Sequence, residues 1–200
     1  MSVPVVMGER GWVHAGSLDA VADLLGIDRT AHRMLPPEQL VEKLDGVLAA
    51  AQRYLQVFPP ERLALTVPRR EKRDMRELGH HVFAIVDDLM TVKNGDVYMQ
   101  GNGPVPAEVR NFEDIVAYGE RVRDRLRAWY AEQRPESWAA QRVTSFGAFP
   151  MQFYFERATW HAAQHSRQIV EMLKVAGVQP PDPLPESFFS GLPMPNGIWD

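Results

Sequence analysis

Apolar residues recur at helical spacing along most of the chain. In "PPEQLVEKLDGVLAAAQRYLQVF", residues 36–58, Leu40, Leu44, Val47, Leu48, Ala51 and Leu55 fall on one helix face. Pro36 and Pro37 suit the first turn of that helix, and Pro59–Pro60 stop it. The pattern predicts a second helix over roughly 71–93, with the seam Met75, Leu78, Val82, Ile85 and Leu89, ended by the turn-forming "NGD" at 94–96. A third is predicted from near Pro106, carrying Phe112, Ile115, Val116, Val122, Leu126 and Trp129. Its opposite side holds Glu120, Arg121, Arg123, Asp124, Arg125 and Arg127 and reads as a solvated face. A fourth is predicted over about 150–176, stopped by Gly177 and the prolines at 180 and 181.

Four long helices with few strand signals between them predict an all-α fold, a four-helix bundle over residues 36–176. The connection 134–149 is long for an up-down arrangement and reads as one crossover, with "RVTSFG" as a short extended piece. Residues 177–200, rich in proline and aromatics, are expected to pack over the bundle as irregular structure. Residues 1–27 differ: "VPVVMGERGWVHAG" predicts two short strands with a turn at Gly8, then a helix over 17–27 with Ser17 as its cap. They form a short N-terminal β/α appendage.

Composition narrows the chemistry. Charged residues are 24% of the 200, with a net charge of −4, so no basic excess exists to neutralise phosphates and nucleic acid is not an expected partner. No apolar run is long enough to span a membrane, and the first dozen residues lack the pattern of a secretion signal, so the expected compartment is the cytoplasm. There is no cysteine, which removes disulfides, thiolate ligands and cysteine nucleophiles together. Any metal must then be held by His, Asp, Glu or water.

Within "TWHAAQHSRQ", residues 159–168, His161 and His165 lie on the same stripe as Met151, Tyr154, Phe155, Ala158, Ala162, Ile169, Met172 and Leu173. Side chains at i and i+4 point to one spot, the spacing for a shared metal ion. Taken alone, such a pair is more often two core histidines satisfied by carbonyls. "RELGHHVFAIVDD" adds a third. Stepping from Leu78 by three and four residues gives His81, Ile85 and Asp88, whereas His80 shares its face with Arg76, Phe83 and Asp87. Periodicity therefore favours His81 as the inward residue and leaves His80 exposed or at the mouth of the site. Three imidazoles from two helices make an open, catalytic-type set that suits Zn, Ni, Fe or Cu. His14 and His32 sit in loop-like contexts and read as ordinary surface residues.

"FERATWHAAQHSRQI" and "RELGHHVFAIV" resemble the metal-binding helices of the DinB-like (DinB/YfiT) superfamily, over about residues 36–176. The resemblance rests on His81, His161 and His165, with Gln168 in the position of the family's H-x-x-Q ending. It implies an antiparallel bundle, one divalent metal ion (Zn or Ni foremost) on the three histidines, and frequent homodimers. Some family members are transferases or isomerases that use a low-molecular-weight thiol; no motif here selects a substrate. "VPVVMGERGWVHAGSLDAVADLLGI" looks like the last third of a glutaredoxin, without the redox C-x-x-C half.

Asp88, two turns after His81, and the less favourably placed Glu156 are candidate acceptors for an imidazole N–H or general bases, and Gln168 a candidate hydrogen-bond partner. The open metal position is expected to face a pocket beside Trp160 and Asp88. Three readings follow: a metal-dependent enzyme, either thiol-dependent transferase or isomerase or a hydrolase; a non-catalytic metal-binding or stress-response protein; and a bundle whose histidines bind no metal.

Overall fold

Short caps and tight turns punctuate a mostly helical chain. The computed structural model describes residues 5–14, 18–27, 33–69, 73–145 and 147–199. The chain divides into two compact units, Met1–Arg33 and Met34–Asp200.

In the first unit, β1 (Val5–Gly8) pairs antiparallel with β2 (Gly11–His14), Val5 facing His14 and Gly8 facing Gly11. The turn is therefore Glu9–Arg10, one residue beyond the expected position. A short helix, α1 (Leu18–Leu25), follows. The Arg10 guanidinium donates to the carbonyls of Asp23 and Leu24, tying the hairpin to the carbonyl-rich end of α1. Ser17, the expected cap of this helix, lies outside the described residues.

Four long helices build the second unit: α2 (Pro37–Gln56), α3 (Met75–Thr91), α4 (Phe112–Ala131) and α6 (Met151–Val175). The pair α2 and α3 each pack against both α4 and α6. The predicted seams are the core: Leu40, Leu44, Val47, Leu48, Ala51 and Leu55 of α2 meet Leu78, Val82, Ile85 and Leu89 of α3. At one end Phe155 lies between Trp129, stacked at 5.8 Å, and Trp138, edge-on at 5.1 Å.

Two helices start later than periodicity predicts, and the reason is the same in each. Helix α3 begins at Met75 rather than near residue 71, because the Asp74 carboxylate accepts the Glu77 N–H (2.9 Å) while Glu77 accepts the Asp74 N–H (3.3 Å). The next begins at Phe112 rather than near Pro106, where Asn111 accepts the Asp114 N–H (2.8 Å). Apolar spacing is blind to such caps.

The connection 132–150 is not plain loop. It carries a one-turn helix, α5 (Pro135–Ala139), and a hairpin of β3 (Gln141–Thr144) and β4 (Gly147–Pro150). The tail contains a 3₁₀ turn at Glu186–Phe189, and Phe189 and Leu192 enter the core. Nor is the charged side of α4 simply solvated. Arg123 donates to Asp45 (2.8 Å) and Gln52 (2.8 Å) of α2, and Arg127 also reaches Asp45 (3.0 Å). Burial alone would raise the Asp45 carboxyl; the two guanidinium groups outweigh it and hold it below the usual range.

Candidate metal centre

Three imidazoles converge between α3 and α6. One ring nitrogen from each of His81, His161 and His165 lies within 4.8 Å of the others. The ring centroids are 4.7 to 5.3 Å apart, a nearly equal-sided triangle. His81 and His165 are buried and His161 is half-buried. A group of this kind could hold a metal ion.

The protonation of two rings follows from their partners. The Nδ1 of His81 lies 2.8 Å from the carbonyl oxygen of Gly101. A carbonyl only accepts, so Nδ1 carries the proton and Nε2 is the lone-pair nitrogen. In the same way, the Gln168 amide donates from Nε2 to the Ile198 carbonyl (2.8 Å), which turns its Oε1 toward His165 Nδ1 (2.7 Å). His165 therefore also holds its proton on Nδ1. Its Nε2 is buried and has no hydrogen-bond partner among the described residues. An unsatisfied buried nitrogen costs on the order of 1–3 kcal/mol. A cation at the centre of the triangle would satisfy it.

Burial, then the neighbouring His161 and His81, hold His165 well below the ordinary histidine range, against the Gln168 bond that favours its charged form. His80 is also lowered, by burial and by Arg76. Neutral rings are what a divalent cation needs as ligands. The sign for stability follows: the unfolded chain takes up protons near pH 6.5, and the folded chain does not until lower pH. Metal-free protein should be at its plateau above about pH 7 and lose stability as pH falls below about 6.5. Melting curves between about pH 7.5 and 5.5 check this, and His165→Leu should flatten the decline.

His80 is not exposed. It is 6% accessible and stacks on Tyr118, centroids 4.8 Å apart, because α4 covers that face of α3. It still lines the mouth of the site. A cavity of about 600 Å³ opens beside His81, lined among the described residues by Arg69, Arg73, Glu77, His80 and the segment Gly101–Val105. Of the expected walls, Asp88 lines an adjoining cavity of about 730 Å³ that shares His80, Gly101, Gly103 and Pro104 with the first, and the Trp160 ring lies 5.7 Å from that of His161. Trp160 lies under the Arg157 guanidinium (5.2 Å), and Asp88 Oδ2 accepts the Gly101 N–H (2.6 Å). Asp88 thus reaches the imidazole only through a peptide group. Glu156 is buried and accepts the Leu35 N–H (3.2 Å) at the start of α2. Tyr154 is core, bonded to Thr144 and to the Gly147 carbonyl. His14 ends a strand rather than lying in a loop, and His32 falls outside the described residues.

Gly101, Arg69, Arg73 and Ile198 were not legible as site residues. The "GNGP" at 101–104 was the available signal, a second cluster of turn formers beyond the "NGD" that ends the predicted helix.

No protein-family model matches the chain, and no curated protein matches it. Among solved structures, it is similar to a crystal structure of a mutant of the mycothiol-dependent maleylpyruvate isomerase, at 16% identity and a TM-score of 0.48, over 72% of this chain and 62% of that one. The chain thus spans less than two thirds of that enzyme's length. A likeness at this level leaves the chemistry to the chain's own residues. No helix among the described residues is long and apolar enough to cross a membrane.

Proposed function

We propose that this chain is a DinB-like four-helix bundle that binds one divalent metal ion, Zn or Ni, on His81, His161 and His165 and acts as a metal-dependent enzyme on a small molecule. The observation that carries the reading is the orphaned Nε2 of buried His165, placed within ligand distance of two further imidazoles. Imidazole ligands bring no negative charge, so a bound cation would keep its full charge and lower the pKa of a water or thiol at its open position toward neutrality. His81 and His165 would be held in the coordinating tautomer by Gly101 and Gln168. The cavity beside His81 gives a substrate access, and its Arg69, Arg73, Glu77 and His80 supply polar contacts. Without a cysteine in the chain, any thiolate would come from a low-molecular-weight thiol in solution. Thiol-dependent transfer or isomerisation and hydrolysis both fit this arrangement. We place the protein in the cytoplasm as a homodimer.

One observation favours a second reading. The three histidines are split between α3 and α6, so a bound cation would also pin two helices together. A non-catalytic metal-binding protein would need nothing more.

Elemental analysis of untagged protein tests the first claim, with close to one metal per chain expected. The Co-substituted protein titrated with bacillithiol, mycothiol and glutathione tests the second. A new charge-transfer band at millimolar thiol supports the thiol-dependent reading, and no spectral change with any of the three removes it.

A further inference from the structure

The segment after α3 returns over the three-histidine site as a four-residue turn. Asn102 N–H donates to the Met99 carbonyl (3.0 Å), and the two central residues, Gln100 and Gly101, have φ of 54° and 77°. Positive φ at both centres marks a type I′ turn. Gln100 holds that conformation although its side chain disfavours it. Strain of this kind persists only where the surroundings fix it.

Three anchors do so. Arg157 of α6 donates to Gln100 Oε1 (2.8 Å). Asp88 of α3 accepts the Gly101 N–H (2.6 Å), and the Gly101 carbonyl accepts the His81 Nδ1 proton (2.8 Å). Asp88 and His81 lie two turns apart on one face of the same helix, so the carboxylate, the peptide and the imidazole close a ring on α3. The fit leaves no room for a side chain: a Cβ at Gly101 would stand 2.7 Å from the Ile85 nitrogen and 2.9 Å from His81 Nδ1.

We propose that Asp88 is a positioning residue of the metal centre, fixing the tautomer and ring orientation of His81 through the Gly101 peptide. The proposal rests on the metal-binding reading for its functional meaning, but not for its geometry. An acceptor on the N–H side of a peptide pulls density toward the carbonyl, which makes Gly101 a better acceptor and His81 Nε2 a better donor to a cation. Asp88 thereby does at one remove what a directly bonded carboxylate does in other metal sites. This role uses Oδ2, the oxygen that accepts the Gly101 N–H.

The test uses the full-length protein and three variants, Asp88→Ala, Asp88→Asn and Asp87→Asn. Affinity for Zn is read by competition with a chromophoric chelator, and the tautomer of His81 by nitrogen NMR of the metal-free protein. Loss of the acceptor in Asp88→Ala should weaken Zn binding by about 10- to 100-fold, the usual effect of removing an outer partner of a ligand. The His81 signals should shift from one tautomer to a mixture. Asp88→Asn keeps an acceptor oxygen and should restore the tautomer and most of the affinity. Asp87→Asn, whose carboxylate bonds Tyr118 and Arg125 instead, should leave both readouts unchanged. The proposal is overturned if Asp88→Ala keeps wild-type affinity and a single His81 tautomer, or if Asp88→Asn loses as much as Asp88→Ala. A wild-type protein that takes up no metal would sink the metal reading alone, since the NMR measurement still decides whether Asp88 sets the His81 tautomer.

Discussion

Replacing His81 or His165 by alanine should abolish stable metal binding, while His80→Ala should leave the metal content near that of the wild type. The contrast is steep because the two adjacent histidines of α3 face different neighbours. His81 points at His161 and His165, with ring centroids 5.3 and 4.7 Å away, whereas His80 stacks on Tyr118 of α4. A three-ligand site that loses one ligand keeps two, and affinity falls by orders of magnitude. His165→Ala has a second effect of opposite sign on the metal-free protein, because it removes the buried nitrogen that has no partner. It also opens a cavity, so its net effect on stability should be small beside its effect on metal content. Elemental analysis after dialysis and a Zn competition titration check both statements. Equal metal loss in His80→Ala and His81→Ala would refute the assignment of the site to His81.

Gly101→Ala should be the most damaging single-atom change near the site. An alanine at φ 77° costs about 1–2 kcal/mol in backbone strain. The added carbon also meets the Ile85 nitrogen at 2.7 Å, a backbone atom inside a buried helix that cannot yield. The turn must move, and the bonds to Asp88 and His81 go with it, each about 1 kcal/mol or somewhat more where a carboxylate accepts. A loss of about 3 kcal/mol in unfolding free energy is expected, together with weakened metal binding. Gly103→Ala is the control, because it lines the same cavity and its Cβ would meet nothing within 4 Å. Denaturant unfolding of both variants gives the comparison; similar behaviour of the two would count against the clasp.

What the sequence displayed, it displayed through period. The inward face of α3 was legible because Leu78, His81, Ile85 and Asp88 follow the 3.6-residue repeat, and the stripe of α6 placed His161 and His165 beside one another for the same reason. The starts of α3 and α4 were misread because Asp74 and Asn111 end the helices by local side-chain bonds that hydrophobic spacing does not register. His80 was left either exposed or at the mouth of the site, and periodicity could not choose, because its cover comes from Tyr118, 38 positions along the chain, and no pattern within one helix reveals what the next helix lays over it. Arg123 was assigned to solvent for the same reason, since its partner Asp45 lies on another helix. Asp88 was singled out by its face, yet its contact runs through a turn whose path depends on the φ of Gln100 and Gly101. The Gln168 amide was likewise visible one turn from His165, but the carbonyl that orients it belongs to residue 198.

That last contact makes the tail answerable for the state of an imidazole on another element. The amide of Gln168 is held in its useful sense by the Ile198 carbonyl, and Gln164 bonds the carbonyls of Gly197 and Ile198 on the same stretch. Loosening the stretch 197–198 would therefore free Gln168 to turn either end of its amide toward His165, and the ring would lose the partner that selects its Nδ1 proton. The docking of the tail and the tautomer of His165 are thus one equilibrium, coupled through a single amide.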